Sequence, residues 1–197
     1  MKKRTCAVFI FDGFADQEVA LTLAWLNGQR GFEIETFSYK GRSVTSMSGL
    51  RVTPHTALED MDPADFDLLL LPGGEAWERG DNLEIFPLIQ ATFGRSPVAA
   101  ICGATLALAD LGFLNRVPHT SNFPGYVKHY CPEYEGEAFY QAVPCVNTGE
   151  LITASGVAII DFACEVLKTC GIYDGEKALS WRELYQSGGE AQSFYAR

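Results

Sequence analysis

Two short runs, Leu68-Leu69-Leu70-Leu71 and Val98-Ala99-Ala100-Ile101, carry no polar residue at alternate positions. A strand with one wet face alternates apolar and polar residues, so runs of this kind predict strands covered on both faces. Covering both faces takes helices on either side of a sheet, and the rest of the chain supplies them. Strand candidates are Cys6–Phe11, Phe32–Phe37, Asp67–Leu71, Val98–Ile101, and the pair Ala142–Val146 and Leu151–Ala154, joined by the turn Asn147-Thr148-Gly149-Glu150. Helical patterns fall between them at Asp16–Arg30, Leu83–Phe93, Gly103–Leu111, Phe123–Tyr130, Val157–Cys170 and Gly175–Tyr185. Gly31, Gly112 and Gly171 follow three of these patterns, where a C-terminal cap is wanted. Strands alternating with helices predict right-handed crossovers and an α/β fold, a mostly parallel sheet with helices on both faces. No repeat, linker or low-complexity segment interrupts the pattern, so a single domain over residues 1–197 is expected.

Charge narrows the partners. With 15 Lys and Arg against 25 Asp and Glu, the formal charge is −10. Neither a nucleic acid nor an anionic membrane is expected as partner, since both recruit basic patches. The start, Met1-Lys2-Lys3-Arg4 and then Cys6 to Phe11, briefly imitates a secretory signal. Its apolar stretch stops at Asp12 and no small-residue cleavage site follows. The longest uncharged apolar stretch, Pro97 to Ala109, is too short for the roughly 20 residues a bilayer needs. A cytoplasmic protein is the expectation. Its cysteines (Cys6, Cys102, Cys131, Cys145, Cys164, Cys170) form no CxxC pair and no metal-ligand spacing, so neither a metal nor a cofactor is expected. Most sit in apolar runs as small hydrophobes, and a reducing cytosol disfavours disulfides.

In parallel sheets, chemistry collects at the carboxyl ends of the strands. Four places answer to that rule: Asp12-Gly13-Phe14, Pro72-Gly73-Gly74, Cys102-Gly103-Ala104, and the loop near Thr120–Pro124. Cys102 follows a buried strand and precedes two small residues and a helix, the setting of a nucleophile on a sharp turn. N–H groups at the helix start favour an anion, which predicts a lowered thiol pKa. A plain buried cysteine is the competing reading. The double glycine lets backbone N–H groups point into the site, where one of them and the N–H of Gly103 could form an oxyanion hole. Glu18 opens the first helix; it is either a dipole contact or a carboxyl that hydrogen-bonds the thiolate and holds it in its nucleophilic form. Trp77 and Glu75, just past the glycines, either wall a pocket or cover the core.

Asp12-Gly13-Phe14-Ala15-Asp16-Gln17-Glu18, Leu71-Pro72-Gly73-Gly74, Ala100-Ile101-Cys102 and Ser155-Gly156 together resemble the ThiJ/PfpI superfamily. That group includes the parkinsonism-associated deglycase and is related to class I glutamine amidotransferases. The resemblance runs from Val8 to about Leu167. It implies a flavodoxin-like three-layer sandwich, a homodimer, Cys102 as nucleophile, Glu18 as its carboxyl partner, and Gly74 and Gly103 as oxyanion donors.

The chain also departs from the pattern. Protease-like members place His directly after the nucleophile, where this chain has Gly103. Deglycase-like members carry His about twenty residues later, where this chain has Asn122. Three histidines exist. In an extended Val117–Asn122, His119 and Asn122 point to opposite faces, so His119 is expected to be packed or exposed rather than beside Cys102. His129 is expected in solvent, and His55 has no visible partner.

The leading expectation is therefore a cysteine-dependent hydrolase or lyase-like protein, of amidase/peptidase or glyoxalase/deglycase type, acting on a small carbonyl or amide. Its partner is a small-molecule or peptide substrate, which Asn122 and Trp77 help to bind. The alternatives are a non-enzymatic redox or stress sensor, in which Cys102 is oxidised to sulfinic acid, and a pseudoenzyme that keeps the fold without turnover.

Overall fold

The computed structural model describes residues 3–28 and 32–188. In chain order the elements are β1 (Arg4–Phe9), α1 (Asp16–Asn27), β2 (Phe32–Ser38), β3 (Val44–Thr45), β4 (Arg51–Val52), β5 (Thr56–Ala57), β6 (Leu68–Leu71), α2 (Glu75–Glu78), α3 (Phe86–Thr92), β7 (Val98–Ile101), α4 (Thr105–Asp110), α5 (Tyr126–Tyr130), β8 (Cys145–Asn147), β9 (Leu151–Ala154), α6 (Ile159–Thr169) and α7 (Gly175–Gln186).

Seven strands form one sheet in the order β5-β2-β1-β6-β7-β9-β8, and β3 with β4 forms a separate two-stranded hairpin. All neighbours in the large sheet run parallel except β8, which pairs antiparallel with β9. Every residue of β6 and β7 is fully buried, the physical meaning of their unbroken apolar sequences. Helix α6 packs against α1 and α7, α1 and α6 lie on β2 and β9, and α4 packs on β7, completing the flavodoxin-like sandwich. The chain passes from β1 to β2 on one side and to β6 on the other. The sheet's topological switch, where a crevice opens at the strand ends, therefore lies between β1 and β6.

Several expected boundaries shift for local reasons. The strand expected from Ala142 begins at Cys145, because Pro144 has no N–H to give to a ladder. The helix expected from Phe123 begins at Tyr126, after Pro124 and a left-handed Gly125. Cys102–Ala104 form a 3-10 turn before α4, and Leu83–Ile85 do the same before α3. Gly112 and Gly171 take the positive φ of helix C-caps. Gly31, and the expected helix end at Arg30, lie outside the described residues. The hairpin, β5 and the one-turn α2 were not expected from the sequence. Among the described residues, no helix is long and apolar enough to cross a membrane.

Candidate active site at the strand ends

Leaving β7, the backbone reverses at Cys102, which adopts φ 58°. A left-handed conformation costs a non-glycine residue about 1–2 kcal/mol, and it turns the thiol out of the sheet. The thiol is half-buried, unlike Cys6, Cys131, Cys164 and Cys170, which are buried. Thr105 holds the turn from inside, donating to the Cys102 carbonyl at 2.7 Å and meeting the Ser121 hydroxyl at 2.6 Å. That second contact ties the elbow to the loop carrying Asn122.

Three elements bring groups to the sulfur. Glu18, in the first turn of α1, is 4 % exposed and accepts the Gly73 N–H through Oε2 at 2.8 Å. Asn122 donates Nδ2–H to Cys102 Sγ at 3.4 Å and accepts the Gly156 N–H on Oδ1 at 3.0 Å, which fixes its amide orientation. The Gly103 N–H also favours the anionic form of the sulfur.

Two glycines make this approach possible. A Cβ on Gly73 would sit 2.5 Å from Glu18 Oε2 and 2.6 Å from Cys102 Cβ. One on Gly156 would sit 2.8 Å from Glu18 Oε1 and 2.9 Å from the sulfur. The carboxyl and the thiol thus share a space left by absent side chains. Gly73→Ala is expected to cost about 1–3 kcal/mol of stability by overpacking, because Cys102 Cβ is anchored to β7 and only the carboxylate can yield. Urea denaturation measures it, and a midpoint equal to wild type would show that the space is larger than the distances imply.

Burial pushes both acids up. It raises Glu18 first and foremost, against the Gly73 N–H and Cys102 hydrogen bonds, which lower it. It also raises Cys102, and the Glu18 charge adds to it, while the Asn122 amide and the Gly103 N–H pull the other way; the thiol ends at about 12. The lowered thiol pKa expected from the helix start is therefore corrected. Helix-terminal N–H groups act on the sulfur, but desolvation and a carboxylate neighbour outweigh them. The pair is coupled, and a second negative charge is what the site resists.

Of the other expected site residues, Trp77 is corrected most. It is 5 % exposed, donates its indole N–H to the Pro72 carbonyl at 2.9 Å, and packs edge-on against Phe11 at 5.5 Å. It props Gly103 from beneath, where a Cβ would lie 3.3 Å from its ring, and presents little surface to a substrate. Glu75 faces solvent and pairs with Arg79. Gly74 caps α2 with φ 144°, a conformation that excludes a side chain, and accepts the Trp77 N–H. His119 is fully buried with one ring nitrogen against the Val117 carbonyl at 2.8 Å and the other against the Tyr134 hydroxyl, so it is packed, away from Cys102. His55 does have a partner, Thr36, whose N–H reaches Nδ1 at 3.0 Å. His129 is exposed and meets the Tyr130 ring edge-on.

Sequence reasoning missed Tyr126. It sits on α5, 2 % exposed, and donates its hydroxyl to Glu78 at 2.7 Å; burial, then Glu78, pushes its pKa up. It lies close enough to Asn122 to hydrogen-bond it and to feel the Cys102 charge. Its role depends on the approach of Glu78 and Asn122 from other elements, which leaves no mark in the local sequence.

The DJ-1/PfpI family model matches residues 4–169. The chain is 35% identical to the uncharacterized protease YoaZ of Bacillus subtilis over 192 residues, covering 93% of this chain and 91% of that one. It is 34% identical to a deglycase of Pyrococcus abyssi over 116 residues, 58% of this chain and 69% of that one. The crystal structure of a DJ-1 superfamily protein from Agrobacterium tumefaciens superposes with a TM-score of 0.85 at 38% identity, covering 94% of this chain and 99% of that one.

Proposed function

Because the chain belongs to the DJ-1/PfpI family, we propose that it is a cysteine-dependent hydrolase or deglycase-like protein, a cytoplasmic homodimer whose Cys102 attacks a small carbonyl or amide. The observation that carries this reading is the half-buried, strained thiol facing a buried carboxyl whose own pKa is raised. A carboxylate with a raised pKa is a better base near neutrality. Glu18 takes the S–H proton as the sulfur attacks the carbonyl carbon. The C=O π pair moves onto oxygen, and Glu18 returns the proton to that oxygen. A thiol and an aldehyde thus give a hemithioacetal with nothing left over. The Gly103 and Asn122 donors lie beside the sulfur, where they favour the thiolate as it forms. YoaZ is named a protease and the Pyrococcus protein a deglycase, and both names fit carbonyl attack.

A second reading has its own observation. Both nitrogens of His119 are engaged elsewhere, and an Asn122 amide cannot carry a proton at neutral pH. Turnover is then slow, and oxidation competes: peroxide gives one oxygen to the thiolate with release of water, and a second peroxide carries the sulfenate to sulfinate.

Both readings require Cys102 to be the accessible thiol. Native protein treated with iodoacetamide is expected to label at Cys102 before Cys145, the other half-buried cysteine, which burial and then Glu165 hold higher. Peptide mass mapping gives the order, and labelling of Cys145 first would end both readings.

A further inference from the structure

A groove of about 390 Å³ opens beside the thiol, and Asn122 is the residue the two share. Ser155 and Val157, also in its lining, flank Gly156, the glycine packed against both Glu18 and Cys102. The remaining walls are largely apolar, formed by Phe123, Pro124, Val143 and Pro144. Three of these side chains are turned outward: Val157 is 92 % exposed, Phe123 56 % and Val143 43 %. Large apolar residues exposed together at the mouth of a polar site mark a binding surface rather than a chance scatter. Two of the polar side chains in its lining already have partners. The Ser121 hydroxyl meets Thr105, and Asp161 pairs with Arg182 at 3.4 Å.

We propose that this groove is the specificity subsite of the Cys102 centre, and that it takes an apolar substituent, alkyl or aryl, carried on the carbonyl compound that reacts there. The inference rests on Cys102 as the reactive group and adds the substrate class. Preferred substrates carry a hydrophobic arm of several carbons, and a one-carbon substituent such as that of methylglyoxal leaves the groove unfilled. Attachment through Asn122 fixes the direction: with the reacting carbon at the sulfur, the arm runs past Asn122 toward Val157.

A series of iodoacetamides tests it: the parent compound and its N-butyl and N-benzyl derivatives. In each, the Cys102 sulfur displaces iodide, so one S–C bond forms as one C–I bond breaks. Rates at Cys102 in the native protein are divided by those of the urea-unfolded chain, which removes intrinsic reactivity. The N-benzyl compound is expected to gain at least about tenfold over the parent, since filling an apolar pocket with one or more methylenes is worth that much. Val157→Asn and Phe123→Asn, both at exposed positions, should each reduce that gain. Labelling by the parent compound with no gain for the larger reagents, or a gain that survives both substitutions, overturns the groove and leaves Cys102 as nucleophile. No labelling of Cys102 by the parent compound overturns the nucleophile itself, and the subsite with it. Light scattering on Val157→Asn adds a control. A fall from dimer to monomer mass, with no benzyl gain in either protein, would assign the groove to a second copy of the chain and overturn the proposal.

Discussion

Glu18→Gln is expected to move two reactions of Cys102 in opposite directions. The amide keeps the shape of the carboxyl and an oxygen that can still accept the Gly73 N–H, but it carries no charge. In the wild type the Glu18 anion is the second-largest cause, after burial, of the raised thiol pKa. Without it the thiol pKa falls, because Asn122 and the Gly103 N–H continue to favour the thiolate. The pH profile of iodoacetamide labelling therefore shifts to lower pH, and the rate at a fixed neutral pH rises. Carbonyl conversion changes the other way. An amide cannot take the S–H proton or return it to the oxyanion, and positioned proton transfer typically contributes about 10²–10⁴-fold. Low steady-state turnover is expected with Asn122 in place of a histidine, so single-turnover formation of the methylglyoxal adduct is the better readout. A labelling profile displaced to higher pH would mean that Glu18 is protonated in the resting site and supports the thiolate by donating to it. An unchanged adduct rate would remove Glu18 from proton transfer altogether.

The parts of this site legible in the sequence are those that depend on the chain's immediate neighbours. Val98–Ile101 is a strand with the expected bounds, and the strand expected from Asp67 begins at Leu68, since full burial leaves a local mark. The turn at Cys102 could be read from the small residues after it. Gly73-Gly74 and Ser155-Gly156 were visible as motifs, but not the reason for Gly73 and Gly156, which is contact with a carboxyl and a thiol from other elements. The direction of the thiol pKa was misjudged for the same cause. A helix start is a local feature, whereas burial beside Glu18 arises only when α1 and β7 meet. Trp77 went astray because α2 is a single turn that carries its ring back onto Phe9 and Phe11, and four residues give no periodicity to read. The hairpin of β3 and β4 has two residues per strand, below the length at which alternation can be recognised.

The largest effect on stability is expected far from the thiol, at Trp181. Helix α7 begins beyond the residues that the family model matches, yet it packs on α6 and closes the layer that contains α1. Trp181 is fully buried there, edge-on to Trp25 at 5.7 Å and tilted against Tyr185 at 4.7 Å. Trp181→Ala removes that ring and leaves a cavity between helices, at a cost of about 3–5 kcal/mol. Trp181→Phe should behave differently. The indole N–H has no hydrogen-bond partner among the described residues, so the smaller ring keeps most of the packing and discards a buried, unpaired donor. Its cost should stay below about 1.5 kcal/mol. Urea midpoints of the three proteins separate the cases. Equal losses for Phe and Ala would show that the indole itself is needed, through a bond the packing argument omits. A loss near zero for Ala would make α7 an appendage. The expected large loss would make it part of the layer that positions Glu18 from α1 and Gly156 just before α6, so that iodoacetamide selectivity for Cys102 should decay along with the fold as urea rises.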